Sequence, residues 1–229
     1  MKTSKNRKQM LDGLDSSKIY EPLEAIKILK EKSYVKFNET IDISINLGID
    51  SNKTDQNIKG VVNLPKGSGK EVKVAVIANE DKHNDAKING ADLVGSDDMI
   101  ETISKSKLEF DILIATPDMM PKLGKIAKIL GPKGLMPNPK LGTVTNDISQ
   151  SVKNAKSGQV KFKNDKSGIV HAGVGKIDFS EEDLLENIKT FYSSVVKSKP
   201  NTVKGSFIKK VTIASTMGIG LNINQASLR

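Results

Sequence analysis

The chain has no cysteine and no tryptophan among its 229 residues, and only two histidines. Without cysteine there is no disulfide framework, no thiolate zinc site, no iron–sulfur cluster and no thiol nucleophile. No apolar run approaches the roughly 18 residues that a membrane-spanning helix needs. The basic start, residues 1–18, lacks the apolar stretch of a signal peptide. A soluble cytoplasmic protein without membrane contact is the expectation. Motifs for hydrolysis are missing too, with no H-E-x-x-H and no G-x-S-x-G. Gly67-Ser68-Gly69-Lys70 and Gly173-Val174-Gly175-Lys176 look like pieces of phosphate loops. However, Leu64 and Glu71, and Val170 and Ile177, stand where such a loop needs a glycine and a hydroxyl. The expectation is therefore no catalytic residue, no metal and no cofactor.

What the chain does have is basic charge. Lys and Arg number 36 against 27 Asp and Glu, a formal net charge of +9. That surplus favours a polyanionic partner. Hydrophobic residues make up 37%, enough for an ordinary core, and the length suits one large or two small domains.

Apolar residues recur with helical spacing over residues 16–33 (Ile19, Leu23, Ile26, Leu29), where Pro22 suits a first turn. Residues 40–49 alternate, Ile41, Ile43, Ile45 and Leu47 against Asp42, Ser44 and Asn46, which predicts a half-buried strand. A second strand at 58–64 stops at Pro65-Lys66-Gly67-Ser68-Gly69. Then the texture changes. Residues 72–78 and 111–116 are near-continuous apolar runs, typical of strands buried on both faces, with a short strand at 92–94. Helical stretches lie between and after them: one ending near Gly90, then one opening at Ser96, then 118–130 and 146–156. Alternating strands and helices predict parallel βαβ units. Beyond Ser157-Gly158 the alternation returns. Residues 159–163 and 168–172 predict a hairpin around Asn164-Asp165-Lys166-Ser167. A helix from Ser180 carries a stripe of Leu184, Leu185, Ile188, Phe191 and Val195. Strands at 205–215 and 219–223 close the chain.

The simplest topology is a discontinuous domain of residues 1–67 and 158–229, with an α/β domain of residues 68–157 inserted. Gly67, Gly69 and Gly158 then serve as a hinge. Charge supports the cut: residues 68–159 hold 13 basic and 12 acidic residues, and the remainder holds 23 and 15. A polyanion belongs on the terminal domain.

Four places could carry contact with a partner. Phe37, in Lys36-Phe37-Asn38-Glu39-Thr40, reads either as a core residue or as a stacking aromatic. The turn Ser215-Thr216-Met217-Gly218-Ile219-Gly220 is either a plain hairpin turn or a surface of hydroxyls and backbone N–H groups suited to phosphate and 2′-OH groups. The stiff loop at 131–140, with three prolines and two glycines, is either packed structure or a preformed contact. His171, beside a basic turn, is structural or RNA-facing, whereas His83 reads as solvated surface. Besides an RNA-binding protein, the pattern leaves room for a phosphate-binding enzyme on the α/β part and for an architectural protein binding nucleic acid without specificity.

Several segments together resemble one family. They are Lys36-Phe37-Asn38-Glu39-Thr40, Asn46-Leu47-Gly48-Ile49-Asp50, Leu64-Pro65-Lys66-Gly67-Ser68-Gly69, Ala115-Thr116-Pro117-Asp118, the loop 131–145, Asn164-Asp165-Lys166-Ser167-Gly168-Ile169-Val170-His171 and Ser215-Thr216-Met217-Gly218. In this order they resemble the L-one family of bacterial large-subunit ribosomal proteins, the proteins of the mobile stalk. The resemblance implies an α+β domain of split βαβ type built from both termini, with an inserted three-layer, Rossmann-like α/β domain. It implies a non-enzymatic, rRNA-binding ribosomal protein, monomeric when free. Its further partners would be exit-site tRNA, whose release it assists, and its own operon mRNA, whose translation it represses. The implied RNA surface is Lys36, Phe37, Thr40, Asp165, Lys166, Gly168, His171, Thr216, Met217 and Gly218. Ile219 departs from a common proline and Lys66 from a common histidine.

Overall fold

The structure, a computed structural model, describes residues 10–228 except 13, 16, 17, 52, 105–109 and 204. In chain order its elements are β1 (Ile19–Tyr20), α1 (Pro22–Glu31), β2 (Thr40–Leu47), β3 (Lys59–Asn63), β4 (Val74–Ile77), α2 (His83–Ile88), β5 (Leu93–Gly95), α3 (Asp97–Ser104), β6 (Ile112–Ala115), α4 (Met120–Leu123), α5 (Ala127–Leu130), α6 (Ile148–Lys156), β7 (Gln159–Lys163), β8 (Ile169–Lys176), α7 (Glu181–Lys197), β9 (Ile208–Ser215) and β10 (Gly220–Ile223). They form two compact units: residues 1–69 with 160–229, and residues 70–159.

The first unit is built on a five-stranded sheet of order β1-β10-β9-β2-β8. β1 runs parallel to β10, and the other pairs are antiparallel. Alternation along β2 buries Ile41, Ile43, Ile45 and Leu47 on one side, joined there by Val170 and Val174 of β8 and Val211 and Ile213 of β9. Helices α1 and α7 pack on that side through Ala25, Ile26 and Leu29, and Leu184, Ile188, Phe191 and Val195. Helix α7 begins where Ser180 accepts the Asp183 N–H at 3.1 Å, with three acidic residues in its first turn. β3 and β7 pair separately, and Phe162 of β7 meets Phe191 edge-on at 5.6 Å.

The first helix is shorter than its periodicity predicts. Residues 16 and 17 lie outside the described residues, and Ile19 belongs to β1 and is 65% exposed. Leu23 is exposed as well, so the buried stripe is Pro22, Ala25, Ile26 and Leu29. Proline is the reason. It favours the first helical position and holds Glu21 extended before it, at φ −69° and ψ 144°. The expected hairpin of β7 and β8 is also replaced. β7 pairs with β3 and β8 with β2, and just past β7 a bridge from Asn164 to Val170 and a bond from the Asp165 N–H to the Ile169 carbonyl link the two. The buried Asn164 decides this. Its Oδ1 accepts the Ile58 N–H at 2.7 Å, and its own N–H donates to the Ile58 carbonyl at 3.0 Å. These bonds draw β7 toward β3.

The second unit has a parallel sheet of order β5-β4-β6. Its strands bury both faces, which explains their unbroken apolar runs. Ala75, Ile77, Leu113 and Ala115 pack with Ile103, Leu123, Ile126 and Leu130. Val74, Val76, Ile112 and Ile114 pack with Ala86, Ile148, Val152 and Ala155. The helix predicted at 118–130 is divided by a 3₁₀ turn, Gly124–Ile126, into α4 and α5. α6 starts at Ile148 because Asp147 accepts the Gln150 N–H at 3.2 Å. His83 is half-buried rather than solvated, its Nε2 lying 3.0 Å from the Ala78 carbonyl. Among the described residues no helix is long and apolar enough to cross a membrane.

Candidate RNA interface

The ten residues singled out in the sequence all lie on the first unit, but not in one place. Six gather at the N-terminal end of β2. Lys36 and Phe37 precede the strand and are exposed, Phe37 at 53%, so the core reading of Phe37 does not hold. The turn between β9 and β10 meets them through Thr216. Its Oγ1 accepts the Thr40 N–H at 3.0 Å and donates to the Thr40 carbonyl at 3.3 Å. Thr40 in turn accepts from Lys176 Nζ at 2.9 Å. Met217 is 49% exposed beside it. Gly218 is required there by close approach. A Cβ at that position would lie 2.3 Å from Ser215 Oγ.

A residue absent from the sequence-derived set holds this group together. Glu39 is 1% exposed. Its Oε1 accepts the Met217 N–H at 2.8 Å and its Oε2 accepts the Ser33 hydroxyl at 2.8 Å. A carboxylate just before a strand that then turns fully buried is the only local signal. Its partner stands 178 residues away, so periodicity could not reveal it.

Asp165, Lys166 and Gly168 gather at the other end of β2, where the Leu47 N–H donates to the Gly168 carbonyl at 3.0 Å. With eight residues in β2, the two groups stand about 23 Å apart. Asp165 shapes this turn. Its Oδ1 accepts the Ser167 and Ile169 N–H groups, both at 2.8 Å. These bonds, Ile169's first, and the nearby His171 hold its carboxyl below the usual carboxylate range. Gly168 takes a left-handed φ of 74°. Lys166 is exposed.

His171 lies between the two groups, in register with Ser44. Its Nδ1 is 2.9 Å from Ser44 Oγ and its Nε2 is 3.6 Å from Asp165 Oδ2. A row of small polar groups crosses the sheet here, from Asn222 through Thr212 and Ser44 to His171. Thr212 Oγ1 donates to Asn222 Oδ1 at 3.2 Å. This face is half-buried and polar where its reverse is apolar. Asp42 is its one acid. Burial pushes its carboxyl up, and His171 and Lys176 pull it back. Such a face, short in side chain and rich in hydroxyl and amide groups, can be approached closely by a backbone that carries phosphates and 2′-OH groups.

The three glycines expected to form a hinge, Gly67, Gly69 and Gly158, have left-handed φ values of 72°, 68° and 94°. Asn187, fully buried, grips the first crossing. It accepts the Lys66 N–H at 3.2 Å and donates to the Gly67 carbonyl at 3.0 Å and the Val174 carbonyl at 2.8 Å. The loop 131–140 belongs to the second unit, where Leu135 and Met136 pack on its core. Among the described residues no group of three or more His, Asp and Glu is placed to hold a metal.

Comparison with known proteins gives these features a setting. The family described as ribosomal protein L1p/L10e matches residues 29–219, a span that takes in both groups and Glu39. Two proteins named large ribosomal subunit protein uL1, from Rickettsia bellii strains OSU 85-389 and RML369-C, are each 54% identical over 213 residues, covering 93% of this chain and 89% of theirs. With most of its length inside that match, the chain belongs to the ribosomal protein L1p/L10e family, a family of ribosomal proteins and not of enzymes.

Proposed function

We propose that the chain is a component of the large ribosomal subunit in the cytoplasm and holds a folded segment of large-subunit rRNA on the polar side of its five-stranded sheet. The observation that carries this reading is the polar face of β2 with a contact group at each end. Phe37 and Met217 offer apolar surface for bases at one end, and Lys166 offers a cation at the other. The basic excess of the terminal segments, 23 basic against 15 acidic residues outside 68–159, supplies attraction without specificity. Titrating the full chain against transcribed fragments of large-subunit rRNA tests it. One fragment should bind far more tightly than the rest, and Phe37→Ala with Met217→Ala should weaken that fragment at least tenfold. Equal binding of every fragment, or an unchanged affinity in the double variant, removes the site.

The finer reading is a stalk protein near the tRNA exit site, assisting release of exit-site tRNA and repressing its own operon mRNA. In that reading residues 68–157 form a Rossmann-like domain inserted into a split βαβ domain. The pivot of the first crossing lies beyond Gly67, because Asn187 holds that residue. An operon mRNA that acts as a mimic competes with rRNA for the same face. Simultaneous binding of both rejects repression by mimicry.

A further inference from the structure

Acidic and basic residues are mixed along most of the second unit and segregated in one part of it. Residues 119–146 hold five lysines and no aspartate or glutamate. The rest of residues 68–159 holds eight lysines and twelve acids. We propose that the outer face of the segment from Met119 to Gly134 is a second RNA-contact surface, which holds phosphate backbone without reading sequence.

The fold arranges this segment as a ridge. Met119, Leu123, Ile126 and Leu130 point into the core, each at most 4% exposed. Lys122, Lys125 and Lys128 fall between them and are exposed. The 3₁₀ turn Gly124–Ile126 brings the local repeat close to three residues per turn, so lysines three apart fall in a row roughly 5 Å apart. Lys133 extends the row on the exposed tip that follows, and Leu135 and Met136 fix that tip by packing on the core. Lys122 meets Asp97 at 2.8 Å. Among the described residues no carboxylate lies within ion-pairing distance of Lys125, Lys128 or Lys133. A Cβ on Gly124 or Gly134 would meet nothing within 4 Å, so the surface between the lysines is open to close approach.

The chemistry selects the partner. A protein interface centres on apolar or aromatic side chains, and among the described residues no large exposed hydrophobic falls between Pro117 and Gly142. The segment has no aromatic to stack a base and no arginine to grip one bidentately. Lysine ammonium groups remain, and as point charges they suit phosphates in a row.

The test is the full chain carrying Lys125→Gln, Lys128→Gln and Lys133→Gln, titrated over a range of salt with two RNA probes, an unrelated duplex and bulk tRNA, and with poly-glutamate as an acidic-protein control. Each lost phosphate contact removes about 0.7–0.9 from the log–log salt slope. A fall of about 2 in that slope and at least a tenfold loss at low salt, with an unchanged thermal melt, is expected. A loss confined to tRNA names tRNA as the occupant, and equal losses name RNA backbone in general. An unchanged slope on both probes overturns the proposal, as does an effect seen only on poly-glutamate, which would assign the ridge to an acidic protein. Binding of the rRNA fragment that Phe37→Ala and Met217→Ala weaken is a separate arm. If the first unit's site fails, the ridge result still stands.

Discussion

The two units bury similar aliphatic side chains in sheets of opposite design. In the first, helices pack on one side of the five-stranded sheet and the other side is a polar half-buried face. In the second, the parallel sheet packs apolar residues on both sides, as parallel sheets do. A sheet covered on both faces has no face to offer, so contact must come from helices and loops. The charge distribution follows this division. The terminal segments carry a general basic excess around a polar face, and the second unit has its acid-free run of lysines on one ridge. A specific site and a charge-only site need different scaffolds for this reason. Specificity requires groups held in register, and attraction to phosphate requires only that opposite charges be kept away.

The largest expected effect tests whether the units are independent. Ile43→Ala and Leu123→Ala each remove a fully buried side chain from one core, at a cost of about 2–5 kcal/mol. Calorimetry should show Ile43→Ala lowering the melting of the first unit and weakening rRNA binding. Leu123→Ala should lower only the second transition and leave rRNA affinity as it was. If both variants shift one common transition, the units share their stability and the comparison collapses.

Glu39→Ala leaves the Met217 N–H and the Ser33 hydroxyl without their acceptor. A loss of about 1–3 kcal/mol follows from leaving two part-buried donors without the carboxylate that accepted them. Titration should find rRNA affinity falling with stability although Glu39 is itself buried, because the turn it holds moves. Full affinity in a destabilised variant would separate Glu39 from the interface.

At the same turn, Gly218→Ala should cost about 1–2 kcal/mol by overpacking, since its Cβ would stand 2.3 Å from Ser215 Oγ and 3.4 Å from Ser215 Cβ. Adding Ser215→Ala removes the hydroxyl and should restore most of the loss in a denaturant titration. No recovery in the double variant would place the strain elsewhere.

The smallest effects depend on pH and have opposite signs on the same face. Asp165 is held below its ordinary value by the Ile169 and Ser167 N–H groups and His171. Its contribution is present above the unfolded carboxylate range near pH 4 and fades as pH falls through its lower folded value. Asp42 is raised by burial, so its neutral form favours the fold, and that contribution fades as pH rises through the raised value. Stability of Asp165→Asn should therefore lose part of its dependence on acid. Asp42→Asn should gain stability near neutrality and bind rRNA more tightly, with one negative charge gone from beneath the phosphates. Identical pH profiles for both variants and the parent chain would contradict these assignments.

Periodicity in the sequence determined what depends on neighbours along the chain. The alternation of β2, the unbroken runs of β4 and β6, the cap of α7 at Ser180 and the stop before Pro200 follow from side-chain direction and backbone chemistry within one element. The exposed aromatic at Phe37 and the glycine at 218 were also visible as residue types. Pairing was decided elsewhere. β7 left β8 for β3 because Asn164 bonds Ile58 across 106 residues. Nine of the ten candidate residues divided between the two ends of β2 with His171 between them, Asp165 and Thr216 turned polar atoms onto the protein's own backbone, and Glu39 entered the site from beneath. Hydrogen-bonding groups buried by packing must find partners wherever the chain brings them, and only the tertiary structure determines which partners those are.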